Sequence, residues 1–215
     1  MRSHRLLRAG LMLLLAVFAI QASPIVVTSY SMLNGAHGSY NYRDFTYTPC
    51  GGVCDVTGAS LSGGTGKLTD GVVPAADWFG QGELTQWVGW DSSQGLANPM
   101  VTFQFATTVT IDSVSVYLSN SRSGGVALPG QIIVGGTGFT IPSDTADLTP
   151  RWIDFTGLSQ TGDSLTIQFD QSSGFNWLMV GEVQFDGMPS GVPEPSSLVL
   201  LGAGLGALGF RRLLR

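Results

Sequence analysis

The central stretch of this chain has almost no cations. Six of its ten Lys and Arg residues crowd the two ends (Arg2, Arg5, Arg8, Arg211, Arg212 and Arg215), leaving only Arg43, Lys67, Arg122 and Arg151 for residues 23–187. Fourteen carboxylates share that stretch, so its net charge is near −10. Nucleic acid and anionic lipid, whose affinity rests mainly on Lys and Arg, are thereby excluded as partners, and divalent cations become plausible ones. Histidine is equally scarce, with only His37 beyond the N-terminal segment. It sits among glycines without a recognisable nucleophile elbow, so acyl-transfer chemistry has no visible base. Asp144 and Asp147 are the nearest local carboxylate pair, but they stand beside Thr and Pro in turn-forming sequence, where Asp commonly serves the turn itself. Long stretches with a 3.6-residue apolar period are also lacking, which excludes a helical domain. No enzyme is expected.

Both termini carry long apolar runs. Arg2, Arg5 and Arg8 precede the apolar stretch Ala9 to Ile20, with Ala22 at a small-residue cleavage position. This is the pattern of a secretory signal peptide over residues 1–22, an uncleaved anchor being the alternative. At the other end, Pro193 and Pro195 keep the backbone extended and accessible. The uncharged run from Leu198 to Phe210 then reaches only about 20 Å as a helix, against about 30 Å of hydrocarbon core, so it spans marginally. Arg211 and Arg212 hold its end on the cytoplasmic side and leave the preceding domain outside. Gly204, Gly206 and Gly209 spell GxGxxG within this run, but the six residues that follow offer no room for a dinucleotide-binding unit. Small residues spaced along an apolar helix fit close packing against another membrane helix better.

The order Val192-Pro193-Glu194-Pro195, glycine-rich apolar span, terminal arginines resembles the PEP-CTERM sorting signal of exported proteins from Gram-negative bacteria that make exopolysaccharide. The resemblance implies export by the secretion machinery, transient anchoring in the inner membrane and removal of the tail by an exosortase near the Pro-Glu-Pro element. It also implies a final place in the cell envelope or extracellular matrix. A tail-anchored protein with a short helix is the alternative. In an exported chain, Cys50 and Cys54, separated by three residues that include two glycines, read as a local disulfide. Zinc would need two further ligands, and dithiol redox chemistry usually uses a two-residue spacer.

Between the signals, residues 23–187 suffice for one well-packed domain, followed by a linker at 188–191. Alternation predicts strands. Val101, Phe103 and Phe105 repeat at every second position within Met100 to Ile111, and Val114, Val116 and Leu118 repeat that spacing after Asp112. Similar alternation marks Leu165, Ile167 and Phe169, and again Val183 and Phe185. Shorter strands are expected at Gln131 to Val134, Phe139 to Ile141, Trp152 to Phe155 and Asp55 to Leu61, with glycine-rich and serine-rich turns between. Many short strands without helices predict an all-β sandwich or jelly roll. The tyrosines and Phe45 of residues 23–66 point to extra strands packed on the sandwich or to a flexible surface segment.

Lys67 to Gly71 (KLTDG), the strand run VTFQF…VTIDSVSVYLS and the closing WLMVGEVQFDG of Trp177 to Gly187 together resemble a galactose-binding-like, discoidin-type β-sandwich. Its members are mostly non-catalytic glycan-binding or surface-binding modules, which frequently hold a structural calcium ion. The resemblance implies that Asp70 of the Asp-Gly turn and Glu182 of the last strand contribute to such a site, with backbone carbonyls of Lys67 to Gly71 and Thr85 completing six to eight oxygens. Asp-Gly also forms turns unaided, and Glu182 could equally face solvent. Trp78 and Phe79, between Asp77 and Gly80, are the candidates for stacking against sugar; Trp87, Trp90 and Trp177 read preferentially as core. The expected function is an exported, non-catalytic module that binds carbohydrate, with a purely structural matrix protein as the alternative and a secreted glycan hydrolase a distant third.

Overall fold

The computed structural model describes residues 23–83, 85–172 and 174–190. The signal peptide, the sorting signal and the apolar segment 198–210 lie outside these described residues. Among the described residues no helix is long and apolar enough to cross a membrane.

Among the described residues nine strands follow one another: β1 (Ser23–Pro24), β2 (Val27–Leu33), β3 (Ser60–Gly64), β4 (Val88–Asp91), β5 (Met100–Leu118), β6 (Gln131–Val134), β7 (Thr137–Thr140), β8 (Arg151–Asp170) and β9 (Trp177–Pro189). All their pairings are antiparallel. The long strands organise the fold. β8 accompanies β5 along nearly its whole length, whereas the other edge of β5 is paired by β2 along residues 101–105 and by β9 along residues 109–118. This change of partner, at a register break between Gln104 and Val109, turns one hydrogen-bonded sheet into two facing layers. Phe103 and Phe105 of one layer meet Phe185 of the other at ring distances of 4.9 and 5.3 Å. The result is an all-β sandwich.

Side-chain alternation fills the space between the layers. Val101, Phe103, Phe105, Val109 and Ile111 are buried at odd positions, and Val114, Val116 and Leu118 at even ones. The change of phase falls at the register shift between Ile111 and Ser113, a bulge that carries the strand past Asp112 without sending its apolar face to solvent. What the sequence divides into two strands is therefore one. The same is true of Trp152 to Phe155 and Leu165 to Phe169, which β8 joins through an irregular middle with positive φ at Gly157 and Ser159. Each large side chain buried this way is worth about 1.5–3 kcal/mol of transfer free energy.

The strand expected at Asp55 to Leu61 is displaced. The Cys50–Cys54 disulfide, with its Cα atoms 5.5 Å apart, closes a tight loop, and the bonds Val53 N–H to Cys50 O and Val56 N–H to Val53 O continue it as turns. Pairing with β2 begins only at Ser60. The tyrosine-rich segment before it packs on the sandwich: Tyr30, Tyr42 and Tyr47 are buried. Asn34 ties this irregular stretch together, donating to Cys54 O at 2.8 Å while its Oδ1 accepts from Gly35 N–H and Asp44 N–H at 2.9 and 2.8 Å.

Candidate functional site

Segment 67–87 crosses the outer face of β9 and β5, and its two ends build two different places. At its beginning is a carboxylate pocket, positioned by a second bulge. In β9, Leu178 and Val180 point into the core, so strict alternation would send Glu182 there as well. The register shift opposite Tyr117 and Leu118 inserts Gly181, after which Val183 and Phe185 resume the inward face and Glu182 turns outward beneath the crossing segment. A Cβ at Gly181 would lie 2.5 Å from the Pro74 ring, so only glycine admits this close crossing.

Glu182 is 3% exposed. Its Oε1 accepts from Gly71 N–H at 3.2 Å, and Val183 N–H donates to Leu68 O at 2.8 Å, locking the turn to the strand. Its Oε2 is buried without a partner among the described residues, as is the hydroxyl of Thr69. Burial, and secondarily the Asp70 carboxylate, pushes the Glu182 carboxyl up to about 8. Asp70 stands at the exposed lip with its Oδ1 accepting from Val72 N–H at 2.8 Å, and partial burial raises its carboxyl too. Thr69, Gly71 and Glu182 line one side of a groove of about 320 Å³ whose other side is residues 24–27. Two carboxylates, a free hydroxyl and turn carbonyls are hard oxygen donors suited to a divalent cation. Among the described residues no three His, Cys, Asp or Glu side chains converge, so hydroxyl and carbonyl oxygens would have to complete any such shell. The Thr85 hydroxyl is engaged elsewhere, donating to Gln81 Oε1 at 3.4 Å and accepting from Trp87 N–H at 3.2 Å.

Next to this pocket lies a buried group that sequence reading does not anticipate. Lys67, 1% exposed, donates from Nζ to Arg43 O at 2.5 Å and lies 3.7 Å from the centre of the Phe45 ring. Burial lowers its ammonium to about 7, against the opposing attraction of Asp44 and Asp70. Asp44, fully buried, accepts from the Tyr30 hydroxyl, from Thr46 Oγ1 at 3.2 Å and from Lys67 N–H at 3.1 Å. A Cβ at Gly66 would come within 2.5 Å of that carboxylate. Burial first, and then the Asp44 charge, raises the Tyr30 phenol well above its ordinary value.

At its far end the crossing segment delivers aromatics to one end of the sandwich. Trp78 donates from Nε1 to Ser121 Oγ at 2.7 Å, and its ring meets Phe79 and Tyr42 edge-on at 5.3 and 6.2 Å. Tyr42 in turn packs against Trp177 at 5.2 Å and Tyr40 at 6.2 Å. Asp77 fixes the approach, its Oδ1 accepting from Trp78 N–H at 2.7 Å and from Ser119 Oγ at 2.6 Å. Trp78 is half-buried and Phe79 is 54% exposed, so one ring supports another that faces water. Trp87 and Trp90 are buried, stacking on Tyr117 and Phe169 at 5.6 and 6.4 Å, and Trp177 is half-buried between the main core and the Tyr42 cluster. Arg122, absent from the sequence-based candidates, joins this end with its guanidinium 4.6 Å from the centre of the Phe175 ring.

The remaining sequence candidates separate from both places. Asp144 and Asp147 share Arg151, at 2.8 and 3.4 Å, and their turn's own N–H groups and the Thr149 hydroxyl hold both carboxyls below their usual range. They brace a turn and do not face each other across a cleft. His37 is exposed; its backbone bridges to Asn41, its N–H donates to Thr57 Oγ1 at 3.3 Å and its carbonyl accepts from Gln94 Nε2 at 3.0 Å.

Comparison with known proteins agrees with this architecture. Residues 26–187 match the model of the discoidin domain-containing receptor 1/2 DS-like domain, so the resemblance begins well before Lys67, and residues 191–213 match the PEP-CTERM protein-sorting motif. No curated protein matches the chain. Solved structures of similar shape include the family 32 carbohydrate-binding module of C. perfringens NanJ in complex with galactose, at 10% identity over 77% of this chain and 98% of that one, with a TM-score of 0.42. The family 32 module of AlyQ in complex with 4,5-unsaturated mannuronic acid matches at 12% identity over 76% and 97%, TM-score 0.42. A structure from the Streptococcus pneumoniae β-galactosidase BgaA matches at 8% identity over 77% and 98%, TM-score 0.47.

Proposed function

Residues 26–187 make this chain a member of the discoidin domain-containing receptor DS-like domain family, and from that premise we propose that it is an exported, non-catalytic carbohydrate-binding protein of the cell envelope or extracellular matrix. The PEP-CTERM motif marks the chain for export and surface sorting. In this reading an exosortase removes the tail near Pro193 to Pro195, and the domain outside engages the exopolysaccharide of its own host.

The observation that carries the binding reading is the exposed Phe79 ring seated on Trp78, which is itself fixed by Ser121 and Tyr42. A sugar's apolar face stacks on such a surface, and rings already held by their neighbours lose little freedom when it does. Glu182, Asp70, Thr69 and the carbonyls of the Lys67 to Gly71 turn would hold a calcium ion. The ion would supply the positive charge that lets two neighbouring carboxylates remain ionised in a partly dry pocket. These residues would thereby fix the root of the segment that presents Trp78 and Phe79.

The test is saturable binding of the purified exported protein to a panel of polysaccharides that includes the host's own matrix. Removing both rings (Trp78→Ala with Phe79→Ala) is expected to weaken binding by about tenfold or more. A folded protein that binds no glycan, or binds equally well without either ring, would leave a structural matrix domain.

A further inference from the structure

Only four cations belong to the described residues, and three of them are committed within the fold. Lys67 is buried against Arg43 O. Arg151 is held between Asp144 and Asp147. Arg43 donates to Asn41 Oδ1 at 2.8 Å and to Asp55 O. Arg122 differs. No described carboxylate lies within 4.0 Å of it; its guanidinium rests over Phe175 and makes one hydrogen bond, of 3.3 Å, to Ser143 Oγ. Of the five N–H donors that a guanidinium carries, most meet no acceptor among the described residues.

Its backbone is held in an unfavourable conformation. Arg122 has φ of +54°, a left-handed geometry that a non-glycine residue keeps only where the surroundings impose it. Both sides of the loop impose it here. Asn120 donates to Asp144 O and Asp147 O at 3.0 and 2.6 Å, Ser121 accepts the Trp78 indole N–H, and Gly124 closes so tightly that a Cβ would stand 2.7 Å from the Trp78 ring. The loop that supports the aromatic platform through Ser121 and Gly124 therefore also carries Arg122, between those two contacts.

We propose that Arg122 selects sugars that carry an anionic substituent, a carboxylate or a sulfate ester, on the residue stacked at Trp78 and Phe79. This deepens the carbohydrate-binding reading and rests on it. A domain of net charge near −10 repels a polyanion at long range, while a neutral sugar needs no charge to be recognised. A single planar guanidinium, backed by the Phe175 ring and carried on the loop that holds Trp78, can give the short-range, two-pronged contact that such a group accepts. Uronic acids, pyruvate ketals and sulfated sugars present the same chemistry, and matched probes distinguish them.

The experiment measures affinity of the exported protein, at one fixed low calcium concentration, for paired probes that differ only in charge. The pairs are polygalacturonate and its methyl ester, chondroitin sulfate and desulfated chondroitin, and the host's exopolysaccharide before and after carboxyl reduction. The wild-type protein is expected to bind the anionic member of at least one pair about tenfold more tightly. Arg122→Gln removes that preference while leaving neutral-probe affinity within twofold, Arg122→Lys keeps part of it, and Trp78→Ala weakens both members. Equal binding of both members by the wild type, with loss of both in Trp78→Ala, overturns charge selection and leaves the glycan reading standing. A preference that survives in Arg122→Gln overturns the role of Arg122. Binding of no probe at all overturns the glycan reading and this proposal together.

Discussion

Asp44 and Glu182 are both buried carboxylates, and they lie on either side of the Lys67 to Asp70 turn, yet the protein has provided for them in opposite ways. Asp44 accepts from a phenol, a hydroxyl and a backbone N–H, with a buried ammonium close enough to feel its charge. Glu182 has one N–H at 3.2 Å, an orphaned second oxygen, and another carboxylate for a neighbour. A buried carboxyl oxygen without a partner is costly enough that folded proteins rarely keep one idle. The contrast separates a finished structural network from the pocket where a calcium ion is proposed.

The largest effect expected from this comparison is on the finished side. Asp44→Ala strands the Tyr30 hydroxyl and the Lys67 N–H in a dry interior and removes the opposite charge nearest the Lys67 ammonium, and denaturant unfolding should show a loss of about 3–5 kcal/mol whether or not calcium is present. A loss under about 1 kcal/mol would mean that the network is not what holds residues 34–67 to the sandwich.

Glu182→Gln should behave in the reverse manner. In chelator it is neutral or mildly stabilising, because it removes a carboxylate that the fold disfavours. In calcium it loses the stabilisation that the wild type gains, about 2.7 kcal/mol at a hundred times the dissociation constant. Calorimetry with and without chelator separates the two effects.

The pH dependence sharpens the contrast through two oppositely shifted groups. Between about 4.5 and about 8 the folded chain keeps a proton on Glu182 that the unfolded chain has released, so stability in chelator falls as pH rises through that window. Asp70, raised in the same direction, adds to the fall. Between about 7 and about 10.5 the unfolded chain keeps a proton that folded Lys67 has released, so stability rises with pH there. Glu182→Gln should flatten the lower limb, and Lys67→Met the upper one, in unfolding curves measured across pH.

Smallest in stability is Phe79→Ala. The ring is largely exposed, so the midpoint of unfolding should move by no more than about 0.5 kcal/mol, while glycan affinity falls several-fold in a titration. A large stability loss would make Phe79 part of the core.

Much of the sandwich is legible in the sequence because strand alternation is a local signal. Val101, Phe103 and Phe105, or Ile167 and Phe169, announce their buried face two residues at a time. The same signal divides β5 at Asp112 where the structure continues it, because a bulge and a turn both appear as a lost beat in the pattern. The bulge at Gly181 matters more, since it alone turns Glu182 from the core to the pocket, and no local pattern distinguishes it from an ordinary strand glycine. Asp70 and Glu182 are linked in the sequence only through the family resemblance, because they are far apart along the chain. Asp44 with Lys67, and Arg122 with Phe175, carry no such motif. Their contacts cross irregular loops whose path depends on caps, a disulfide and positive-φ residues acting together.

The most direct measurement is a calcium titration of thermal unfolding on the wild type, Glu182→Gln and Asp44→Asn, each starting in chelator. The account predicts a saturable rise in Tm for the wild type, the same rise from a lower baseline for Asp44→Asn, and none for Glu182→Gln. A wild type indifferent to calcium, or a Glu182→Gln protein that responds as the wild type does, would contradict it.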